Sequence, residues 1–104
     1  MTQIPSTAVV ETVRFKLKPD VTDAEFIALS KASRDFVANC TGFLERRLSK
    51  AEDGTWTDYA LWRDMDSAQA AAAQFPKQPF AAALMGAMQE GTETMTHADL
   101  NWHM

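Results

Sequence analysis

The stretch that decides the fold is WTDYALWRDMDSAQAAAAQFPKQPF, residues 56–80. Its opening letters, WTDYALW, place bulky apolar and aromatic side chains in the half-alternating pattern typical of a strand. A helix is predicted from Asp66, because Asp66 and Gln69 have the spacing of a capping box. Pro76 and Pro79 lack a backbone N–H, so this helix should break near them. A strand, a capped helix and a proline break in succession favour a ligand pocket.

The segments on either side complete a βαββαβ order. They are strand one (8–17), helix one from Thr22 to Cys40 before Gly42, strand two (42–50), helix two (66–74), a second helical piece from Pro79 or Phe80 to about Glu90, and a last strand (94–101). This order predicts one α+β domain over residues 1–104, with residues 1–7 as a loose lead-in. The domain should be a ferredoxin-like sandwich whose four-stranded antiparallel sheet carries helices on one face.

Composition narrows the class of function. A net charge of −4 argues against nucleic acid, because binding phosphates needs a basic surface. The lone Cys40 excludes an internal disulfide, and one Cys with two His gives no metal-ligand spacing. With no phosphate-binding glycine loop either, we expect no metal, haem or flavin cofactor. No apolar run approaches the ~18 residues of a membrane span, and no signal peptide is evident, so a cytoplasmic protein is expected.

Strand three predicts a homodimer. It carries large apolar side chains on both faces, with Tyr59 and Leu61 on one and Trp56, Ala60 and Trp62 on the other. Helices on one face of the sheet would leave the other face as an exposed apolar patch, which typically marks an interface. We therefore predict that Ala60 and Trp62 pack against a second copy. The alternative is that each Trp is an isolated surface residue.

Two segments carry a family resemblance. VRFKLKPDVTDAEF resembles the strand-turn-helix opening of the stress-responsive A/B barrel proteins, and YALWRDMDSAQAAAAQFPKQPFAAAL resembles the strand-helix segment of antibiotic biosynthesis monooxygenase-like proteins. The resemblance spans residues 8–101 and implies a ferredoxin-like subunit that pairs through its sheet into a homodimeric α+β barrel. It also implies a pocket between sheet and helices. The superfamily includes cofactor-independent monooxygenases, polyketide cyclases, haem-degrading enzymes and proteins without known activity.

The chain departs from this resemblance at several positions. Glu11 stands where many A/B barrel members have a His, and the break after helix two contains none. Ala71 and Leu84 stand near the positions where the haem-degrading branch has a Trp and a His, which disfavours haem degradation. Trp62 matches a pocket Trp of some monooxygenase-like members, whereas strand alternation points it at the dimer partner. Both placements of Trp62 stay open at this stage.

The catalytic candidates are Glu11, His97 and Tyr59. If Val13 and Phe15 face the helices, Glu11 points into the pocket, where a partly buried carboxylate suits proton transfer. Strands one and four are neighbours in a ferredoxin-like sheet, so Glu11 could orient His97 as a base. The Tyr59 phenol could orient a carbonyl or enolate. The alternatives are that Glu11 and His97 reach water and that Tyr59 is a core residue.

These candidates leave two classes of function. One is a small-molecule-binding, stress-associated dimer of uncertain activity, which the missing family histidines favour. The other is a cofactor-independent monooxygenase or cyclase acting on an aromatic or polyketide-like substrate, which a Glu11–His97 pair within hydrogen-bond reach would favour. In both, the ligand is expected to be small and apolar or aromatic, and the predicted pocket lining is Val13, Phe15, Leu29, Ser33, Leu61, Gln78, Phe80 and Met95.

Overall fold

The sheet has four antiparallel strands in the order β2-β3-β1-β4. The computed structural model describes residues 3–104, so the first two residues of the predicted lead-in lie outside it. The elements are β1 (Val9–Phe15), α1 (Asp23–Ala32), α2 (Arg34–Asn39), β2 (Phe43–Lys50), β3 (Trp56–Trp62), α3 (Met65–Gln74), a 3₁₀ turn (Phe75–Lys77), α4 (Ala81–Gly86) and β4 (Thr94–Asp99). The predicted α+β class is confirmed. Across residues 3–104, no helix is long and apolar enough to cross a membrane.

The register of the sheet decides which side chains lie under the helices. Glu11 pairs with Ala60 across β1 and β3, and with His97 across β1 and β4. Paired residues share a face, because side chains alternate along each strand. Val9 and Phe15, which are fully buried under the helices, lie on this same face. The helix-facing positions of β1 and β3 are therefore Val9, Glu11, Val13, Phe15, Trp56, Asp58, Ala60 and Trp62.

Each of the two helical connections, from β1 to β2 and from β3 to β4, contains one break. The predicted continuous helix through Cys40 is wrong, because α1 ends at Ala32 and α2 starts at Arg34. Between them the Ser33 hydroxyl donates to the Ser30 carbonyl at 2.6 Å, a local bond that competes with regular helix. The second crossover breaks at the prolines, as predicted. Its last helix ends at Gly86 rather than about residue 90, since the following chain bonds to the end of β1 instead.

The N-cap of helix α3 lies two residues earlier than predicted. Asp64, not Asp66, is the N-cap, and its Oδ1 accepts from the Ser67 backbone N–H at 2.8 Å. Hydrogen bonds from Ser67 hold the pKa of the Asp64 carboxyl below its usual value. Gly42, with a φ of 82°, lies so close to the Ser67 side chain that a Cβ there would overlap it. This contact seats the start of α3 against the start of β2.

The two helix breaks divide the core into two clusters. One lies under α2 and α3 and contains Val9, Val37, Ala60, Trp62, Ala68 and Ala71. The other lies under α1 and α4 and contains Phe15, Phe26, Trp56, Leu84 and Ala87. Ala60 and Trp62 are thus buried by the chain's own helices, and their predicted place on the outer, intersubunit face of the sheet is wrong. The reason is the register, which puts them opposite Glu11 and Val9.

Candidate functional site

A cavity of about 230 Å³ lies between the sheet and the helices, with walls drawn from both core clusters. Small side chains make room for it, since α3 and β3 present Ala71, Ala72 and Ala60 to the space. Phe75 and Pro76 line it at the helix break, so the proline break does border a pocket, as the sequence predicts. The volume lies somewhat below the usual range for small-molecule sites, roughly 300–1,000 Å³, so only a compact ligand would fit.

Most of the wall is apolar, but four charged side chains reach it: Glu11, Arg46, Asp58 and Glu93. Acidic groups therefore outnumber the single guanidinium among the charged side chains of this wall. A permanently anionic ligand would be repelled by this surplus, whereas a neutral aromatic molecule would not. The cavity combines an apolar body with a few polar groups, the usual composition of a small-molecule site.

Glu11 and His97 form a hydrogen-bonded pair at one edge of the cavity. The His97 Nε2 lies 2.8 Å from Glu11 Oε2, and both side chains are largely buried. Glu11 is on the cavity wall, whereas His97 lies beside it on the edge strand and is not part of that wall. Glu11 Oε2 accepts from the His97 Nε2–H, and Oε1 is the second acceptor of the carboxylate. The sequence predicted that Glu11 orients His97 as a base, and the structure places Glu11, but not His97, on the cavity wall.

Trp62 lines the same wall through its indole ring. Its side chain is only 2 % exposed and packs edge-on against Phe43, with ring centroids 5.7 Å apart. Within the described residues its indole Nε1–H is buried without a hydrogen-bond acceptor. A buried donor left without a partner costs about 1–3 kcal/mol, and because this nitrogen has almost no accessible surface, a ligand in the cavity would contact the indole ring and not its N–H. Of the two placements open for Trp62, the structure shows the pocket.

Arg46 and Asp58 form an ion pair that the sequence prediction missed. Arg46 Nε donates to Asp58 Oδ1 at 3.1 Å and its Nη2 donates to Oδ2 at 2.8 Å. The third guanidinium nitrogen, Nη1, donates to the hydroxyl of Ser33 at 2.7 Å. Strand alternation could have suggested this pair, because Arg46 lies on the same face of β2 as Leu48, and Leu48 is directly opposite Asp58 on β3. Without the register of the β2–β3 hairpin, however, the sequence does not show which residues of the two strands lie side by side.

The predicted pocket residues divide by sheet face. Val13, Phe15 and Met95 line the cavity. Tyr59 and Leu61 lie on the opposite face, because β3 pairs with β1 so that Thr12 faces Tyr59. Their predicted places in the pocket are therefore wrong, and the Tyr59 phenol cannot orient a ligand within this cavity.

The remaining predicted pocket residues lie just outside the wall. Leu29 packs against the second core cluster, and Phe80 stacks on the aromatic rings at the helix break. Ser33 is fully buried beneath the guanidinium of Arg46. The Gln78 amide donates to the carbonyl of Gln74 at 3.1 Å instead of a ligand. These four residues pack or hydrogen-bond behind the cavity wall and do not line the cavity itself.

Solved structures with this fold include proteins of known and unknown activity. SnoaB from Streptomyces nogalater, described as a cofactor-independent oxygenase, is 25% identical over 94% of this chain and 95% of its own, with a TM-score of 0.68. A variant of SnoaB superposes with a TM-score of 0.77 at 24% identity, covering 94% of this chain and 97% of the variant. A proposed antibiotic biosynthesis monooxygenase from Bordetella bronchiseptica is 16% identical over 92% of this chain and 99% of its own, with a TM-score of 0.76.

These likenesses show that the chain has the fold of antibiotic biosynthesis monooxygenase-like proteins, which confirms the predicted resemblance at the level of fold. No protein-family model matches the chain, and no curated protein does either. Proteins with this fold include a cofactor-independent oxygenase and others of unknown function. The activity therefore has to be argued from the cavity itself.

Proposed function

We propose that this protein is a cofactor-independent oxygenase that removes a proton from a carbon acid of a small aromatic, polyketide-like substrate held in the cavity. The observation that carries the proposal is the Glu11–His97 hydrogen bond of 2.8 Å at the cavity wall. A carboxylate aimed into an apolar space and held by a second group is the arrangement that general-base catalysis requires. The fold shared with SnoaB, a cofactor-independent oxygenase, supports the same reaction class.

In this mechanism Glu11 is the base and His97 is the positioning residue. The Glu11 carboxylate takes the proton through Oε1, while the His97 N–H bonded to Oε2 fixes the direction of the carboxylate. The Trp62 ring contributes apolar surface to the cavity wall, against which the rings of the substrate would pack. The apolar remainder of the wall would exclude water from the carbanion.

Molecular oxygen is the co-reactant of the next step. The carbanion gives one electron to O₂, and the resulting pair combines to a peroxide at the same carbon. The peroxide anion takes the proton held by Glu11, and the freed carboxylate then removes the second C–H proton as the O–O bond breaks, which leaves a ketone and hydroxide. Hydroxide takes this proton from Glu11 and becomes water. The balance is R₂CH₂ plus O₂ giving R₂C=O plus H₂O, so no external reductant is needed. A cyclase would share the first proton transfer.

Anthrone is a suitable first substrate, because its methylene C–H bonds are acidified by a ketone across the central ring. We expect the purified protein to accelerate oxygen uptake with anthrone above the buffer rate, with one O₂ consumed per anthraquinone formed. An oxygen electrode with product chromatography, run with EDTA and without added flavin, measures this. Anthrone that binds but is not oxidised faster than in buffer would contradict the oxygenase and leave the ligand-binding function.

We also propose that the protein forms a homodimer through the face of the sheet that carries Val10, Tyr59 and Leu61. The predicted interface residues Ala60 and Trp62 lie under the helices, so the interface would instead use the uncovered face, where Val10 and Tyr59 are partly exposed and Leu61 is buried beside them. Sedimentation at micromolar concentration should give about twice the mass of one chain, and Tyr59→Lys should shift it to one chain. A monomeric wild-type protein would rule out the dimer. A cytoplasmic location stays a prediction.

A further inference from the structure

The Arg46–Asp58 pair has unused hydrogen-bonding capacity inside the cavity. A guanidinium carries five N–H groups, and here three of them donate to Asp58 and Ser33. One N–H therefore remains on each of the two terminal nitrogens. Both side chains line the cavity and are about four-fifths buried, with exposed fractions of 19 % and 23 %. The pair is rigid, because the carboxylate holds one edge of the guanidinium and Ser33 holds another.

This pair lies opposite the proton-abstracting end of the site. Arg46, Ala60, Glu11 and His97 are cross-strand neighbours in one row that runs over all four strands. Strands are about 4.8 Å apart, so the backbones of Arg46 and Glu11 are separated by roughly 10 Å. Only the methyl group of Ala60 stands between them on the cavity side. On the sheet side of the cavity, the hydrogen-bond donors of Arg46 thus lie at one end and the carboxylate of Glu11 at the other, with only the small Ala60 between them.

We propose that Arg46 is a substrate-binding residue that donates hydrogen bonds to the carbonyl oxygen of a planar fused-ring ketone, with the acidic C–H of the same ligand at Glu11. The inference rests on the proposed function and assigns the residue that would recognise the carbonyl oxygen of its ketone substrate. Asp58 neutralises the guanidinium overall, so the site offers directed N–H donors without attracting permanent anions. Carboxylates and phosphates are therefore poor ligands.

The chemistry links the two ends of the row. When Glu11 takes the proton, the electron pair stays on the ligand and is delocalised through the rings to the carbonyl oxygen. No bond to the protein forms or breaks. The N–H groups of Arg46 face that oxygen, where the charge grows, and hydrogen bonds to a charged group are worth about 1.5–3 kcal/mol. Arg46 therefore contributes to ligand binding and, more strongly, to the anion formed by deprotonation.

The test compares two ligands of one shape in two proteins. Anthrone carries the carbonyl and dihydroanthracene does not, and both are titrated by quenching of tryptophan fluorescence. For the wild-type protein we expect a Kd for anthrone about 10- to 100-fold lower than for dihydroanthracene. The double variant Arg46→Met with Asp58→Leu replaces the pair by apolar groups of similar size, which is often tolerated. In this variant anthrone and dihydroanthracene should bind with about equal Kd values.

Controls separate this inference from the proposed reaction. Arg47→Met, on the next residue of β2 but exposed on the opposite face, should keep the preference for anthrone. If the double variant does not fold, Arg46→Lys keeps the charge but not the planar fork, and should lower the preference several-fold. An unchanged preference in either variant, or none in the wild type, would overturn the inference. A carbonyl preference without turnover would overturn the oxygenase alone.

Discussion

Glu11→Gln is expected to lower the rate of anthrone oxidation by about 100- to 10,000-fold, the usual contribution of a positioned general base. Glutamine has the same shape as glutamate but its amide cannot take a proton. Because the variant keeps the side-chain volume in the cavity wall, the Kd for anthrone should change much less than the rate. Rates measured with the oxygen electrode and Kd values from fluorescence separate the two effects.

The control for this change is Glu45→Gln. Glu45 is a carboxylate on β2 that is ion-paired with Arg47 on the outer face of the sheet, and its replacement should leave turnover unaltered. His97 gives a second comparison: His97→Gln, whose amide can still donate to Glu11, should retain more activity than His97→Leu. Wild-type turnover in Glu11→Gln would exclude Glu11 as the base. Equal turnover in the two His97 variants would exclude the positioning role.

Phe26→Ala is expected to lower the free energy of unfolding by about 3–5 kcal/mol, the range for removing a large aromatic side chain from a core. Phe26 is 1 % exposed, and its ring lies between those of Phe15 and Trp56, with both centroid distances at 5.2 Å. The substitution removes both aromatic contacts and opens a void beside the cavity. Typical domains have only 5–15 kcal/mol of total stability, so the loss would be large.

Ile27→Ala is the matched control, because Ile27 is the next residue of the same helix and is 40 % exposed. It should cost about 1 kcal/mol or less, since little apolar surface is withdrawn from water there. Urea unfolding followed by circular dichroism gives both values from the midpoint and slope. Equal losses in the two variants would show that Phe26 is not a core residue.

Both helix breaks lie next to the residues of the candidate site. Ser33 interrupts the first crossover and also holds Arg46, while the Phe75–Pro76 break separates α3 from α4 at the cavity edge. Two continuous helices would cover the sheet more completely. The small side chains Ala60 and Ala71 then leave volume where large ones would fill it. The cavity therefore follows from local features of the chain that interrupt otherwise regular packing.

Local sequence patterns were enough to predict the order of elements, the fold class and the proximity of Glu11 to His97. Apolar periodicity, capping residues and prolines are local signals, and they located most of the helices and strands to within a few residues. The adjacency of strands one and four then follows from the βαββαβ order. The sequence analysis did not identify Asp64 as the N-cap of α3, because Asp66, two residues later, is an equally suitable capping residue.

Only the tertiary structure decided which face each residue of β3 occupies. Side chains alternate with a period of two, so a register shift of one residue exchanges the two faces of a strand. Both faces of β3 are apolar, and its composition therefore did not distinguish Trp62 in the pocket from Tyr59 outside it. The Arg46–Asp58 pair and the presentation of Glu11 rather than His97 to the cavity depend on the same register. Pairing across strands is set by contacts between residues distant in sequence, which no local pattern contains.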